Sequence, residues 1–342
     1  MLGLKASKSD AERVRKYLAR HKLMDNNYRL ISDDEFIYFP ISRGGRKRVK
    51  GLLKGRGREL VDRAFERNRS VKSYREVLAK RLGAGYDKAT KSYDIIGDIA
   101  IIDADTMPVA KAMAAALMDM NRNVSTVLAK GGPVKGKYRI RDYVYVAGRR
   151  RYSTMYRENG ASFVIDVRKA FFSSRLAFER ERINRLVGPG ENVVVMFAGA
   201  GPFAIEIAKR HRDSHVVAIE LNRDAYRYMV QNAKLNKTDN VTAEFGDVKR
   251  VAEKYRRFAD RIIMPLPESS WEFLGSVVSV ARKGCMVHYY SFGERKSAFN
   301  DCIAELREFF RKARAPFRVV SKRVVRPYSA SRVEVCIDFR LY

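Results

Sequence analysis

Glu191–Arg210 reads ENVVVMFAGAGPFAIEIAKR, and this stretch decides the fold. Val193–Met196 is an apolar run of strand-forming residues that stops at Ala198-Gly199-Ala200-Gly201. Pro202 suits the first position of a helix, where a missing N–H is no loss. Phe203, Ile205, Ile207 and Ala208 continue as a helix that packs back on a sheet. A strand, a Gly-x-Gly turn and a helix N-terminus together let an adenosyl or phosphate group approach the backbone closely. The same letters also describe a βα unit with no ligand, because short motifs match by chance.

The residues beyond the turn narrow the choice. His215–Leu221 (HVVAIEL) reads as a second buried strand, and its Glu220 lies 21 residues after Gly199. An acid there can accept hydrogen bonds from both ribose hydroxyls. Val241–Phe245 is a third strand ending at Gly246-Asp247, an acid placed for an adenine amino group. Asp260–Pro267 (DRIIMPLP) is a fourth, running into a Pro-x-Pro turn. A loose dinucleotide pattern also fits Gly199–Ala204, so a nicotinamide enzyme is the competing reading. Asp247 and the proline turn are features a methyltransferase needs for adenine and for its target base, and the chain shows no hydride-transfer site beyond them. The methyl-donor reading is therefore preferred.

Composition points to the partner. The 69 Lys and Arg against 39 Asp and Glu leave a net charge of +30, which implies a polyanion and salt-sensitive binding. No apolar stretch approaches the roughly 20 residues needed to span a bilayer, and no signal peptide is read at the start, so no membrane partner is expected. Cys285, Cys302 and Cys336 lie far apart and the four histidines are scattered, so no metal is expected and the compartment reads as reducing and cytoplasmic.

Along the chain, residues 1–41 read as a small α+β unit with a helix capped at Ser9-Asp10 and a strand at 35–40. Arg43–Arg58 holds eight basic residues and no acid, which suits a solvated linker and a phosphate contact alike. Tyr74–Leu82 and Pro108–Asp119 read as helices, the second with Met113, Leu117 and Met118 as core. Strands are expected at 92–102, 124–128, 138–147 and 162–167. Arginines at 139, 141, 149, 150, 151 and 157 interleave with Tyr138, Tyr143, Tyr145, Tyr152 and Tyr156, a mixture that suits either RNA stacking or a sheet with a polar face. Ala170–Val187 reads as one helix capped at Ser173 or Ser174, with Arg175 and Glu179 on one face. A fifth strand at 285–291, a helix at 295–312 and a terminal pair at 317–325 and 332–341 complete a mostly parallel sheet closed by an antiparallel hairpin. The fold class is thus α/β, a Rossmann-like methyltransferase domain at 169–342. An α+β middle domain at 61–168 and a small N-terminal α+β domain with a basic linker at 1–60 precede it.

Several segments, in order over roughly 70–342, resemble archaeal tRNA (guanine-37-N1) methyltransferases. They are Tyr138–Arg141 (YRIR), Glu158–Gly160 (ENG), Phe172–Arg180 (FSSRLAFER), Met196–Phe203 (MFAGAGPF) and Asp260–Pro267, with Asp94–Ala100 (DIIGDIA) fitting the middle domain. The resemblance implies methyl transfer from S-adenosylmethionine to N1 of the guanosine 3′ of the anticodon. It places the cofactor over Phe197, Ala198, Gly199 and Gly201, with Glu220 and Leu221 at the ribose and Asp247 and Val248 near adenine. Arg175 and Pro265 are expected to border the same site. It implies that the first domain reaches the tRNA elbow, that the other two clasp the anticodon stem-loop, and that the enzyme acts as a monomer. The family's catalytic pair falls on Arg139 and Glu179. Guanine N1 carries a proton that a base must take, which suits Glu179, while charge building on O6 suits a guanidinium, Arg139. This chain has Pro265 where the family often has an Asn that can hydrogen-bond the guanine edge.

Two other readings arise from the same residues. One is a wybutosine-pathway enzyme, methylating a tricyclic precursor or transferring an aminocarboxypropyl group. The other is a catalytically silent RNA-binding module, against which Glu220, Asp247, Arg139 and Glu179 all speak.

Overall fold

The computed structural model describes residues 1–42, 44–49, 51, 57–66, 73–87, 89–133 and 136–342. Of the basic run at 43–58, residues 43, 50 and 52–56 lie outside the described residues. The chain forms two compact units, Met1–Val77 and Leu78–Tyr342.

In the first unit, β1 (Leu2–Ser7), α1 (Ala11–Arg20), β2 (Ile31–Ser32), β3 (Phe36–Pro40), α2 (Arg46–Val49) and β4 (Glu59–Asp62) succeed one another. The strands form an antiparallel sheet in the order β2-β3-β1-β4. Ala11, Val14 and Leu18 recur at helical spacing and are buried, so α1 lays one stripe on Leu4 and Phe39. Asp10 is the N-cap of α1 but makes no capping hydrogen bond there; its carboxylate is taken by Arg58. Because β4 pairs with β1, the expected boundary at residue 60 cuts through a strand.

α3 (Tyr74–Leu82) leads into the second unit. There β5 (Tyr93–Ile96), β6 (Ile99–Ile102), β7 (Thr126–Lys130) and β8 (Tyr143–Gly148) form a sheet in that order, with α4 (Met107–Met120) between β6 and β7. The expected strand at 138–147 starts only at Tyr143, because residues 136–139 form a turn in which Arg139 has φ 54°. Tyr143, Tyr145, Tyr152 and Tyr156 pack against the buried cluster around Phe163, so only Tyr138 of the five tyrosines is largely exposed. Most of the aromatic pattern is therefore core.

A hairpin of β9 (Ser153–Glu158) and β10 (Ala161–Asp166) turns at Asn159-Gly160. The free edge of β10 is satisfied by two asparagine side chains. Asn232 Oδ1 accepts from Val164 N at 2.7 Å and its Nδ2 donates to Val164 O, while Asn236 treats Ser162 in the same way. These asparagines belong to α7 and its C-cap, so the expected cut at 168 separates a strand from the groups that complete it.

The remaining elements are α5 (Ala177–Leu186), β11 (Asn192–Met196), α6 (Pro202–Arg210), β12 (His215–Glu220), α7 (Arg223–Leu235), β13 (Val241–Phe245), α8 (Val248–Val251), β14 (Ala259–Met264), α9 (Leu274–Val280), β15 (Ala281–Glu294), α10 (Ala298–Lys312), β16 (Phe317–Pro327) and β17 (Arg332–Leu341). Seven strands form one sheet in the order β13-β12-β11-β14-β15-β17-β16. The first five are parallel and β17 runs antiparallel to both neighbours. This is the class I methyltransferase architecture expected from the strand pattern. Val193–Met196, Val216–Ile219 and Ile262–Met264 are fully buried, as strands covered on both faces require. The order reverses beside β11, so its turn opens at the point where α/β sheets bind ligands.

The single helix expected at 170–187 is a 3₁₀ turn at Ser174–Leu176 followed by α5. Ser173 stays extended and makes no capping hydrogen bond.

Candidate active site

A cavity of about 420 Å³ runs along the C-terminal ends of the parallel strands. Strand order sets out what meets it: Asp247 after β13, Glu220 ending β12, Phe197–Gly199 after β11, Pro265–Glu268 after β14 and Phe292 on β15. Leu221 and Val248 line it as well. Eight of the ten expected cofactor residues are therefore brought together.

The turn after β11 is built for close approach. Phe197 has φ 58°, a conformation rare for a non-glycine residue, and its ring meets Phe273 edge-on at 4.7 Å. Gly199 has φ 59°, and a Cβ there would meet only the Phe171 carbonyl at 3.6 Å, so its cavity side is open. Glu220 Oε2 accepts from Gly199 N at 2.7 Å and its Oε1 from Asn222 N at 2.6 Å, which locks the carboxylate at the turn. Each oxygen keeps a lone pair for a ligand hydroxyl. Burial raises the Glu220 pKa, while the Asn222 and Gly199 N–H groups oppose the rise. Asp247 caps α8 by accepting from Lys249 N at 2.8 Å. An open glycine, a fixed acid at the second strand and another at the third fit an adenosyl group with its ribose.

Two expected cofactor residues lie elsewhere. Gly201, at φ 89°, does not line the cavity. A Cβ on it would come within 2.8 Å of Ile205 and 2.9 Å of Met229, so glycine there serves the packing of α6 on α7. Arg175 turns away and donates to Asp94 Oδ1, so it neither borders the cavity nor pairs with Glu179.

The catalytic pair is split as well. Arg139 lines the cavity, paired with Glu268 and set over the Phe171 ring at 5.6 Å. Glu179 does not line it. Its carboxylate is 2% exposed by residue, and Oε1 accepts from Arg182 Nη2 at 2.7 Å and from the Tyr290 hydroxyl at 2.8 Å. Arg323 Nε approaches its other oxygen at 3.6 Å. Tyr290 in turn packs on Phe203, which does line the cavity, with ring centroids 6.3 Å apart. Glu179 thus stands one layer behind the wall, in the first turn of α5 and held there by Arg182 and Tyr290.

Beneath the same layer, His288, Cys336 and Asp338 come together although the sequence scatters them. Arg261 Nη1 can only donate, so His288 Nε2 accepts from it at 2.7 Å and Nδ1 donates to Asp338 at 2.6 Å. Burial lowers the His288 pKa and keeps the ring neutral. Arg182 donates to both Asp338 and Cys336, so two guanidinium groups occupy the positions a cation would need.

Arg180, also at the cavity, is 2% exposed and bridges Glu158 at 2.6 Å and Glu206 at 3.4 Å. Burial, together with the neighbouring Glu158 carboxylate, pushes the Glu206 pKa up to about 9. Arg180→Ala leaves the Glu158 charge buried and unpaired. Its expected cost is about 3–5 kcal/mol of stability, a fall of roughly 10 °C in Tm. A melting curve unchanged from that of the parent would refute the bridge.

Sequence reasoning missed Phe171, Phe273, Phe292, Glu268, Arg326 and Glu334, all of which line the cavity. The resemblance segments stop short of most of them, and only topology brings them to one rim.

Residues 154–319 match the model of the TRM5/TYW2 methyltransferase domain, residues 3–45 the tRNA methyltransferase 5 N-terminal domain, and residues 74–151 the TYW2 N-terminal domain. The chain is similar to the tRNA (guanine(37)-N(1))-methyltransferase Trm5b of Pyrococcus abyssi, 35% identical over 99% of both chains. A crystal structure of wild-type Trm5b from Pyrococcus abyssi superposes with a TM-score of 0.73 at 33% identity, covering 100% of this chain and 99% of that one. A complex of aTrm5 with tRNALeu superposes with a TM-score of 0.71 at 29% identity, covering 99% of each. The chain belongs to the TRM5/TYW2 methyltransferase family.

Proposed function

We propose that this protein transfers a methyl group from S-adenosylmethionine to N1 of guanosine 37 in tRNA. One observation carries the reading: a single cavity joins the open turn at Gly199, with Glu220 and Asp247, to the Arg139 guanidinium beside the Pro265–Pro267 turn. Full-length similarity to tRNA (guanine(37)-N(1))-methyltransferases, one solved relative being a complex with tRNALeu, favours it over the wybutosine-pathway alternative.

S-adenosylmethionine, when bound, supplies a methyl group on a positively charged sulfur. Gly199 and the adjoining backbone let the adenosyl group sit close. Glu220 would accept from the ribose hydroxyls and Asp247 from the adenine amino group. Phe197 and Phe273 put an edge-to-face aromatic pair on the cavity wall. Arg139 donates to O6 of guanine as charge develops there, and Glu268 and Phe171 hold the guanidinium in readiness. Glu179 takes the N1 proton once its carboxylate exchanges Arg182 for the base. The first unit holds the tRNA elbow and the second unit the anticodon stem-loop, and the enzyme works as a cytoplasmic monomer. Among the described residues, no helix is long and apolar enough to cross a membrane.

The decisive experiment is mass spectrometry of tRNA nucleosides after incubation with the enzyme and S-adenosylmethionine. 1-Methylguanosine at position 37 and S-adenosylhomocysteine as co-product are expected. Methylthioadenosine in place of S-adenosylhomocysteine would indicate aminocarboxypropyl transfer and refute the proposal. The excess of positive charge also sets a salt dependence. If six to ten phosphates are contacted, tRNA affinity falls about 10³–10⁵-fold between 50 and 200 mM salt. A nearly flat dependence in filter binding would rule out phosphate contact as the main source of affinity.

A further inference from the structure

The turn that leaves β14 continues past its prolines into a short, firmly held segment, Pro265–Phe273, which reads PLPESSWEF. Ser270 is 1% exposed, and its hydroxyl is shared between Leu266 O at 2.8 Å and Met264 O at 3.1 Å. Ser270 N also donates to Leu266 O, at 3.0 Å. Three residues on, Phe273 meets the Phe197 ring edge-on, and Leu274 after it is buried. The 3₁₀ turn Ser270–Phe273 is therefore tied at one end to β14 and at the other to the turn after β11.

Between these anchors in sequence stands Trp271, the single tryptophan of the chain, which is 53% exposed. Tryptophan is a residue that folded proteins keep largely covered. Among the described residues, no aromatic ring or cationic side chain stacks on it. Trp271 does not line the cavity, but Ser269, Glu272 and Phe273 do, so it belongs to the cavity's edge and not its interior. A large flat ring is thus held at the edge of the site by a backbone that cannot readily withdraw it, with its surface unused by the rest of the fold.

An enzyme that acts on a base takes that base out of its stack, and the bases on either side each lose a partner. An unstacked base packs on an aromatic side chain whatever its identity, because every base has a π-face. The segment also discriminates against the other part of an RNA. None of its nine residues is basic and two, Glu268 and Glu272, are acidic, so it repels phosphate and offers stacking as its attraction. We propose that Trp271 stacks on the base next to the target, at position 36 or 38, and replaces the stacking lost when the target enters the cavity. The inference rests on the proposed reading that guanosine 37 of tRNA is the substrate.

The single tryptophan supplies its own test. Emission excited where tyrosine does not absorb reports Trp271 alone. A tRNA transcript with guanosine 37 is expected to quench it saturably, along the same binding curve as filter binding gives. S-adenosylmethionine alone is expected to leave it unchanged, since the ring does not line the cavity. An abasic residue at position 36 or 38, introduced one at a time, is expected to abolish the quench at one of the two positions and preserve it at the other. Trp271→Ala is expected to lower kcat/KM on the unaltered transcript about 5- to 100-fold, the range for one lost aromatic–base stack. Its Tm and S-adenosylmethionine affinity should stay parental, and Trp271→Phe should recover part of the loss. On the transcript whose abasic residue abolishes the quench, the alanine variant should match the parent within about twofold, because the two changes remove the same contact. A merely structural role would cost both transcripts alike. Emission that saturating tRNA leaves unquenched, a quench that survives both abasic replacements, a parental kcat/KM in the alanine variant, or an equal penalty on both transcripts overturns the Trp271 assignment and leaves the proposed function standing. A parent that forms no 1-methylguanosine on the unaltered transcript overturns the function as well.

Discussion

Arg139→Ala is expected to slow single-turnover methylation of tRNA by about 10²–10³-fold, the range for loss of one donor to a developing oxyanion, while S-adenosylmethionine binding stays near the parental value. Arg139 lines the cavity but lies outside the strand-end residues that fit the adenosyl group, which is why the two effects separate. Its backbone already has φ 54°, and alanine suffers about the same strain there, so the turn at 136–139 gives no separate reason for loss. Arg139→Lys is expected to recover little. A lysine ammonium is a point charge without the planar fork that Glu268 and Phe171 hold in place. Rapid-quench assays with saturating tRNA and cofactor measure the step directly. A parental rate in the alanine variant would remove Arg139 from the chemistry, and a matching loss of cofactor affinity would move it to the cofactor site.

The sheet was legible because its strands are apolar runs that stop at glycine, proline or acid, and each such stop marks a turn at the rim. β11, β12, β13 and the β16–β17 pair lie within a few residues of where Val, Ile and their turn residues placed them. The cofactor residues came with them, since they sit at or just after the ends of β11, β12, β13 and β14. Direction of side chains was not legible. Arg175 and Glu179 are four apart, but Arg175 sits in a 3₁₀ turn and Glu179 in the first turn of α5, so the shared helical face never forms. Gly201 fits the ligand motif by spacing, yet the side chains of Ile205 and Met229 claim the space beside it. Glu334 gave one faint signal, a carboxylate in a strand of Val, Cys and Ile. Alternation alone would assign it to solvent. Only the pairing of β17 with β15 carries it to the cavity.

Glu179→Gln is expected to lower the single-turnover rate by about 10²–10⁴-fold, the range for loss of a general base, and to leave S-adenosylmethionine affinity nearly intact. The position makes the experiment demanding. Glu179 is buried, bonded to Arg182 and Tyr290, and one layer behind the cavity wall formed by Phe203. For its carboxylate to reach N1, it must release Arg182, which keeps Asp338 as a partner at 2.7 Å and so is not stranded by the exchange. Glutamine retains an oxygen for Arg182 and Tyr290 but accepts no proton at N1, so it separates shape from proton transfer. Removing one charge from a buried pair also destabilises the fold, and the rate must therefore be taken well below the variant's melting temperature. If the variant melts lower while its single-turnover rate and pH dependence match those of the parent, Glu179 serves α5 through Arg182 alone. The N1 proton would then leave by one of the carboxylates on the cavity wall, of which Glu268, paired with Arg139, is the nearest to the guanidinium that faces O6.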